Sequence, residues 1–512
     1  MRVSQQCWVC LTWGLMSLAH AGAAEFRVRP YLQNPAPDAM SVRWLSNTSD
    51  PGTLKLVDDL REFRSTPVVA NALSYNTVSP EPGGPHPDLP WLHWVRLTDL
   101  IPGGNYTYTV TQGAETHGGS FTTPGPDQPI RFIVYSDSET EPESSTTPPV
   151  AWPAPTGSNR PAGRTNYFVD QTVAYKENCR LIAERKPNFV LLAGDIVEVG
   201  GEQRDWDEFW KHNAGEFNAL AGNIPILAAL GNHENYAGPG GGYTAAGANF
   251  ATDKFLTYFE TPSNGAQNPK HRGRYYRIDY GPITIITVDS SDGQPNKTAA
   301  DTNHNMEGSH APDFNPGSEQ YQWLEAQLAD AQMTSRFTFV QFHHTMYGSG
   351  PHSIPFGQKE FSGQSGIAMR VLRPLLFRYG VDAVFSGHDE LLERSQVAGT
   401  EILVDGTERP QTIHFYDVGI GGDGLRGPSV DFDNPHRKFL AHDDVPEVWN
   451  GEQLVSGGKH YGHLEVNVAP DAKGVWQVEL TPAHVFPLND AEGKVIGWER
   501  RTYPDAVQFS QQ

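Results

Sequence analysis

An α/β fold preceded by an all-β segment is what this 512-residue sequence predicts, on three observations. Residues 25–126 carry short alternating runs, such as Met40-Ser41-Val42-Arg43-Trp44 and Leu54-Lys55-Leu56-Val57, bounded by Pro, Gly and Asp. From Arg131 onward, continuously apolar strands alternate with helical stretches, the pattern of an α/β sheet covered on both faces. Five of those strands run directly into residues that ligate metals. These are Asp137 in FIVYSDSE, Asp195 in LLAGDIVE, Asn232-His233 in ALGNHE, His343 in VQFHH, and His388 with Glu390 in FSGHDE.

The elements follow in order. Residues 1–24 read as a signal peptide: Arg2 supplies the charge, Cys7 to Leu18 the apolar run, and Ala19-His20-Ala21 or Ala21-Gly22-Ala23 the small-residue cleavage site. A secreted or periplasmic protein with no membrane segment after cleavage is expected. Cleavage leaves Cys179 as the one remaining cysteine, so no disulfide framework is expected. Cys179 shares a helical stripe with Phe168, Thr172, Tyr175 and Ile182 and reads as a buried core thiol.

Residues 25–126 read as a β-sandwich. Within it Leu97, Leu100, Pro102, Tyr106 and Tyr108 resemble a fibronectin type III-like corner, in which a Tyr hydroxyl bonds back to the chain. Residues 127–490 then form the α/β part, with strands expected at 132–135, 189–193, 224–230, 283–288, 337–342 and 383–386 and helices near 168–184 and 319–331. Strands at 413–418, 464–468 and 475–480 follow, and 491–512 reads as a C-terminal tail. Segments 139–165, 237–249 and 292–317 read as loops that follow site strands, where substrate selection usually resides.

The net charge of −22 argues against a nucleic-acid-binding surface. An anionic substrate would have to be attracted locally, by cations. Asp195 can bridge two cations about 3.5–4 Å apart. Asn232 can ligate through its amide oxygen without adding charge. With imidazoles from His343 and His388 these residues make one site suited to Zn, Mn or Fe. Asp137, together with Asp195, begins another. Each motif alone is weak, since Gly-Asp pairs are mostly turns. Their joint order is what points to a metal site.

The chain resembles the calcineurin-like metallophosphoesterases, and within them the purple acid phosphatases. The resemblance rests on the five motifs, on GRYYRIDYGPITIITVDSS followed by QYQWLEAQLADA, and on GHDELLERS. It implies an αββα sandwich behind the N-terminal β-sandwich. It also implies a binuclear centre, with Asp137 on metal 1, Asp195 as the bridge, and Asn232, His343 and His388 on metal 2. His233 would face the substrate and protonate the leaving oxygen or stabilise phosphoryl charge, with Glu234 orienting or tuning it. His344 is the runner-up to His343, and His352 is a candidate substrate-facing or outer histidine.

Three positions depart from the family's pattern. Glu198 stands where a tyrosinate ligand is usual, Glu390 replaces the second His of Gly-His-x-His, and Glu139 stands where Gly or His is usual. Metal 1 is therefore expected to be rich in carboxylates, with Glu390 first in order as a ligand, then Glu198, then Glu139. Carboxylate oxygens suit harder ions such as Mn, Mg, Ca or Fe. With Asp137, Asp195 and Glu390 as the anions, two divalent cations leave about +1 for the substrate.

The implied function is metal-dependent hydrolysis of a phosphate ester, by in-line attack of a metal-bound water or hydroxide on a phosphomonoester. Phosphodiester hydrolysis at the same site is the alternative. A non-catalytic binding protein on a degenerate site is the second alternative.

Overall fold

The computed structural model describes residues 25–57, 61–73, 90–145, 154–164, 171–238, 241–422, 424–429 and 432–510. The expected signal peptide, and Phe168 of the expected helix, lie outside these residues.

Two four-stranded antiparallel sheets come first. One orders Phe26–Ala36, Ala39–Ser46, Trp91–Leu97 and Thr66–Val69; the other orders Glu62–Arg64, Thr53–Leu56, Asn105–Gln112 and Glu115–Thr122. Leu32, Val42, Trp44 and Val95 from the first sheet pack against Leu54, Tyr108, Val110 and Phe121 from the second. The Trp44 indole is fixed by donating to Gln112 Oε1 at 3.0 Å. The Tyr106 hydroxyl accepts the Ile101 N–H at 2.7 Å. Tyr108 reaches out of the sandwich and donates to the Gly222 carbonyl at 2.8 Å.

Two seven-stranded sheets follow. The first orders Ile226–Ala228, Phe189–Leu192, Ile130–Tyr135, Gly462–Pro470, Trp476–Asn489 and Val495–Thr502, with Val507–Ser510 also paired to Trp476–Asn489. The second orders Tyr276–Tyr280, Ile283–Thr287, Phe337–His344, Ala383–Gly387, Glu408–Val418, Leu392–Ile402 and Arg437–Leu440.

Strand periodicity explains how these sheets stack. Phe132, Val134, Phe189 and Leu191 meet Ile283, Ile285, Phe339 and Phe385 between the two sheets. Their alternate neighbours Ile133, Tyr135, Val190 and Leu192 face the other way, onto Tyr175, Cys179, Ile182, Trp206 and Phe209 of the helices Gln171–Arg185 and Gln203–Ala214. Val340, Phe342 and Val384 likewise face Leu324 and Leu328 of the helix Glu319–Thr334. Both faces of each central strand are thus dry, and the strands read as unbroken apolar runs. The outcome is the expected α/β stack of helices, sheet, sheet and helices. Cys179 sits inside it, and burial pushes its thiol up to about 12, so it stays protonated.

One expectation is corrected. The segment read as a tail, 491–512, carries two strands of the first large sheet, Val495–Thr502 and Val507–Ser510. These strands are mostly half-buried. Half-burial at a sheet margin tolerates the charges of WERRT, and that hid the strand in the sequence. Among the described residues no helix is long and apolar enough to cross a membrane.

Candidate metal centre

The central strands of both sheets run parallel, Ile130–Tyr135 with Phe189–Leu192 and Ile226–Ala228, and Phe337–His344 with Ile283–Thr287, Ala383–Gly387 and Glu408–Val418. Their C-terminal ends therefore emerge together. Asp137, Asp195 and Asn232 come from one sheet, His343 and His388 from the other. Crevices beyond the carboxyl ends of parallel strands are where α/β proteins bind ligands.

The backbone is bent sharply here. Of ten non-glycine residues with positive φ among the described residues, five lie in these motifs: Asp137, Glu139, Asp195, His388 and Glu390. Glycine would relieve each bend, so the side chains are what these positions keep; such conformations cost on the order of 1 kcal/mol or more each. Glycines appear instead where side chains must meet. A Cβ on Gly231 would stand 2.1 Å from Asp195 Oδ1, and one on Gly387 would stand 2.1 Å from Asp137 Oδ2. Gly387→Ala is accordingly expected to displace Asp137. It should lower both bound metal and thermal stability, by about 1–3 kcal/mol. Metal analysis and a melting curve check this, and no change in either would refute the close-approach argument.

The ligand atoms converge. His343 Nε2 lies 2.8 Å from Asp195 Oδ2, 3.0 Å from Asn232 Oδ1 and 3.2 Å from His388 Nδ1. One ring N–H cannot serve three acceptors. A cation about 2.0–2.3 Å from each atom would.

The outer contacts agree with that reading. The His343 Nδ1–H donates to the Ala193 carbonyl at 3.0 Å, leaving Nε2 for the cluster. The His388 Nε2–H donates to the Gln364 carbonyl at 2.9 Å, leaving Nδ1. Asn232 Nδ2 donates to the Tyr243 hydroxyl at 3.2 Å, which turns Oδ1 inward. This nitrogen-rich set suits Zn, Fe or Mn.

A second group of convergent oxygens comprises Asp137, Glu139 and Asp195, all buried. Asp195 is common to both groups. Oxygen-only coordination suits Mg, Mn or Ca. A third cluster joins Glu139 to Glu198 and His233.

The three glutamates lie in three different surroundings. Glu139, expected last, lies with Asp137 and Asp195. Glu198 lies on the His233 side. Glu390, expected first, joins no such group among the described residues. Its carboxylate is ion-paired with the Arg426 guanidinium, and its backbone carbonyl accepts the Arg426 N–H at 2.9 Å.

His233 follows Asn232 in a single 3-10 turn. Its backbone N–H donates to Asp195 Oδ1 at 2.9 Å and its Nδ1 to the Glu198 carbonyl. Nε2, 3.8 Å from Glu139, is the atom it presents, and 22% of the side chain is exposed. Burial lowers its pKa, but the Asp195 and Glu198 carboxylates outweigh this and push it up to about 9.

His343 behaves alike: burial lowers it, and Asp195 and then Asp137 raise it to about 9. Burial pushes Asp137 up to about 7, with His343 opposing and Asp195 reinforcing. Asp195, despite its burial, is held below the usual carboxylate range by His343 and His233. A cation would take over the role of these protons.

Glu234 does not touch the His233 ring. Its carboxylate accepts the backbone N–H groups of Asp195 (3.0 Å), Ile196 (2.8 Å) and Gly231 (2.8 Å). It is a positioning residue that ties two ligand loops together. His344 contributes no atom to the ligand groups: its Nδ1 meets Ser290 Oγ at 2.9 Å, while its ring packs against His388 with centroids 4.5 Å apart. His352 stacks on His388 with ring centroids 4.0 Å apart. Burial and the neighbouring Arg426 hold it neutral, down to about 3.

Sequence reasoning missed Tyr243, Gln364 and Arg426. The first two lack a signal, since one acts through a lone hydroxyl and the other through a backbone carbonyl. Arg426 had one: DVGIGGDGLRG is a glycine-rich loop at a sixth strand end.

Parallel strand ends from two stacked sheets thus bring Asp, Asn and His side chains of metal-ligating type together at one site. Residues 165–389 match the family model for calcineurin-like phosphoesterases, and the chain resembles the purple acid phosphatases. An uncharacterized protein of Mycobacterium tuberculosis is 27% identical over 360 residues, 65% of this chain and 58% of that protein. Probable inactive purple acid phosphatase 27 of Arabidopsis thaliana is 26% identical over 379 residues, 70% of this chain and 53% of that protein. The chain thus spans little more than half the length of these relatives.

Among solved structures, purple acid phosphatase PPD1 from yellow lupin (Lupinus luteus) seeds aligns over 95% of this chain and 74% of its own, with TM-score 0.61 and 18% identity. PhoD aligns over 96% and 91%, with TM-score 0.55 and 14% identity. These two likenesses concern the fold.

Proposed function

We propose that this protein is a phosphoesterase that uses two metal ions to hydrolyse phosphomonoesters. The observation that carries the reading is Asp195, whose carboxylate belongs both to the nitrogen-rich group with His343 and His388 and to the oxygen group with Asp137 and Glu139. Asn232, His343, His388 and Asp195 would hold one ion, and Asp137, Glu139 and Asp195 the other. Ions bound there would polarise the phosphoryl oxygens and acidify a water molecule.

The chain's own residues do the rest. Glu234 keeps the Asp195 and Gly231 loops in register. Tyr243 and Gln364 hold Asn232 and His388 in ligating orientations. His233 presents Nε2 beside Glu139, its ring steadied by the Glu198 carbonyl, and in its protonated form would give that proton to the leaving oxygen.

Phosphodiester hydrolysis is the second reading, and one observation favours it. Glu139 makes three carboxylates around one position, and Glu198 lies beside it. Counting Asp137, Glu139, Asp195 and Glu198 against two divalent cations gives about zero, which tolerates a monoanionic diester better than a dianionic monoester. The names of some relatives include "probable inactive", so hydrolysis itself is part of what must be tested.

The test compares a nitrophenyl monoester with the matching bis-nitrophenyl diester on metal-loaded protein. We expect a faster monoester. A much faster diester would favour the second reading, and no turnover of either would sink both.

The finer assignments belong to the same proposal. Residues 1–24 would direct the chain to a secreted or periplasmic location. Residues 25–126 would form a fibronectin type III-like domain, supported by the Tyr106 hydroxyl on Ile101. The catalytic domain would begin at 127 and extend to the strands that end at Ser510.

A further inference from the structure

We propose that Arg426 is a substrate-binding residue, a fixed guanidinium that grips the phosphate group, and that Glu390 is its positioning residue rather than a metal ligand. The inference rests on the phosphoesterase reading of the site and names a determinant of anion binding within it.

Arg426 lies in a loop whose backbone is pinned at three points. Lys459 Nζ donates to the Leu425 carbonyl at 3.0 Å, Arg426 N–H to the Glu390 carbonyl at 2.9 Å, and Ser429 N–H to the Ser349 carbonyl at 2.7 Å. The side chain is held as well. Its Nε pairs with Glu390 Oε2, and its Nη1 approaches His352 Nε2 at 3.2 Å. His352 Nδ1 in turn meets Ser362 Oγ at 3.0 Å. A neutral His352 with its proton on Nδ1 accepts from the guanidinium, so the contact is a hydrogen bond between a cation and a lone pair.

Location comes from the His352 ring. It stacks on His388 at 4.0 Å, and His388 Nδ1 is 3.2 Å from His343 Nε2. Arg426 is therefore one ring removed from the candidate metal ligands. Glu390 is buried, its side chain 4% exposed, whereas the Arg426 side chain is 45% exposed. The pair is thus oriented with the anion beneath and the cation toward solvent, beside a site that carries the carboxylates of Asp137, Glu139, Asp195 and Glu198.

A guanidinium offers five N–H donors in a planar fork, so it can serve Glu390, His352 and a phosphate oxygen together. Holding the fork in place beforehand lowers the ordering cost of gripping the anion. In a chain of net charge −22 such a cation also offsets the repulsion an anionic substrate meets on approach.

The test uses the full-length, metal-loaded protein with inorganic phosphate as the probe, read by calorimetry and by competitive inhibition, with metal content measured alongside. Arg426→Ala is expected to weaken phosphate binding about 10- to 100-fold, the scale of a lost charge-assisted contact. Metal content should be unchanged and KM should rise more than kcat falls. Arg426→Lys should recover part of the loss, since it restores charge without the fork. Glu390→Gln should weaken phosphate binding in the same direction by less, again with metal retained.

Unchanged phosphate affinity in Arg426→Ala overturns the proposal. Metal loss in Glu390→Gln overturns it too, because Glu390 would then be a ligand. The two readings fail separately. Ester hydrolysis with an indifferent Arg426 leaves the phosphoesterase standing, and Arg426-dependent phosphate binding without hydrolysis of either ester leaves only the anion site.

Discussion

Asp195→Asn is expected to lose both metal ions and to lower the hydrolytic rate by about 10³-fold or more. The substitution keeps the shape of the side chain and removes its charge. Asp195 is the one carboxylate shared by the two convergent groups, so its loss weakens each of them. Lewis-acid stabilisation by bound metal is worth several kcal/mol, and each 1.36 kcal/mol is a factor of ten in rate.

The substitution leaves an amide oxygen to accept the His233 backbone N–H but replaces Oδ2, the partner of His343 Nε2, with an NH2 donor. Metal content by elemental analysis and the rate on the preferred ester are the two readouts. A variant that keeps two equivalents of metal and a near-normal rate would show that Asp195 is not the shared ligand.

His233→Gln should leave metal content intact while lowering kcat by roughly 10²- to 10⁴-fold, the usual span for a positioned general acid. Glutamine preserves a hydrogen-bonding side chain but cannot deliver a proton. The deficit should widen as the leaving alcohol becomes more basic and shrink for an activated nitrophenolate. A uniform deficit across leaving groups would indicate that His233 only stabilises phosphoryl charge.

The electrostatics add a second readout, in the metal-free protein. Burial lowers the pKa of His233, but Asp195 and Glu198 carry it up to about 9, above the ordinary value of about 6.5. A group raised in the folded state stabilises it fully below its unfolded pKa and ceases to do so above its folded one. The melting temperature of metal-free protein should thus fall between about pH 6.5 and pH 9, and His233→Gln should reduce that fall. His343, also pushed up to about 9, should preserve part of it. Metal should abolish the remainder, because the cation replaces the protons. A flat profile in the metal-free wild type would contradict this account.

Much of the architecture was legible in the sequence because both faces of the central strands are dry. Runs such as Phe132 to Tyr135 and Phe189 to Ala193 stay apolar without a break and stop where the chain must turn. The ligand-type residues follow directly, after Gly194, Gly231 and Gly387 in three cases. Close approach explains those glycines at 231 and 387, so sequence and geometry have a common cause there. The strand Val495–Thr502 went unread for the opposite reason, since half-buried positions at a sheet margin carry no apolar signature.

By itself the sequence determined the kind of chemistry available: Asp, Asp, Asn, His and His at successive strand ends, with three glutamates where the family's pattern has other residues. Residue type and strand termination are local properties, and local patterns record them. Which glutamate lies with Asp137, and what Glu390 does instead, only the tertiary structure decided. Glu139 and Glu390 share a positive φ and near-complete burial, and nothing local separates them. The difference arises because a loop 36 residues further on brings the Arg426 guanidinium against Glu390. A buried carboxylate takes the nearest compensating charge, and in a folded chain that charge can come from anywhere in the sequence.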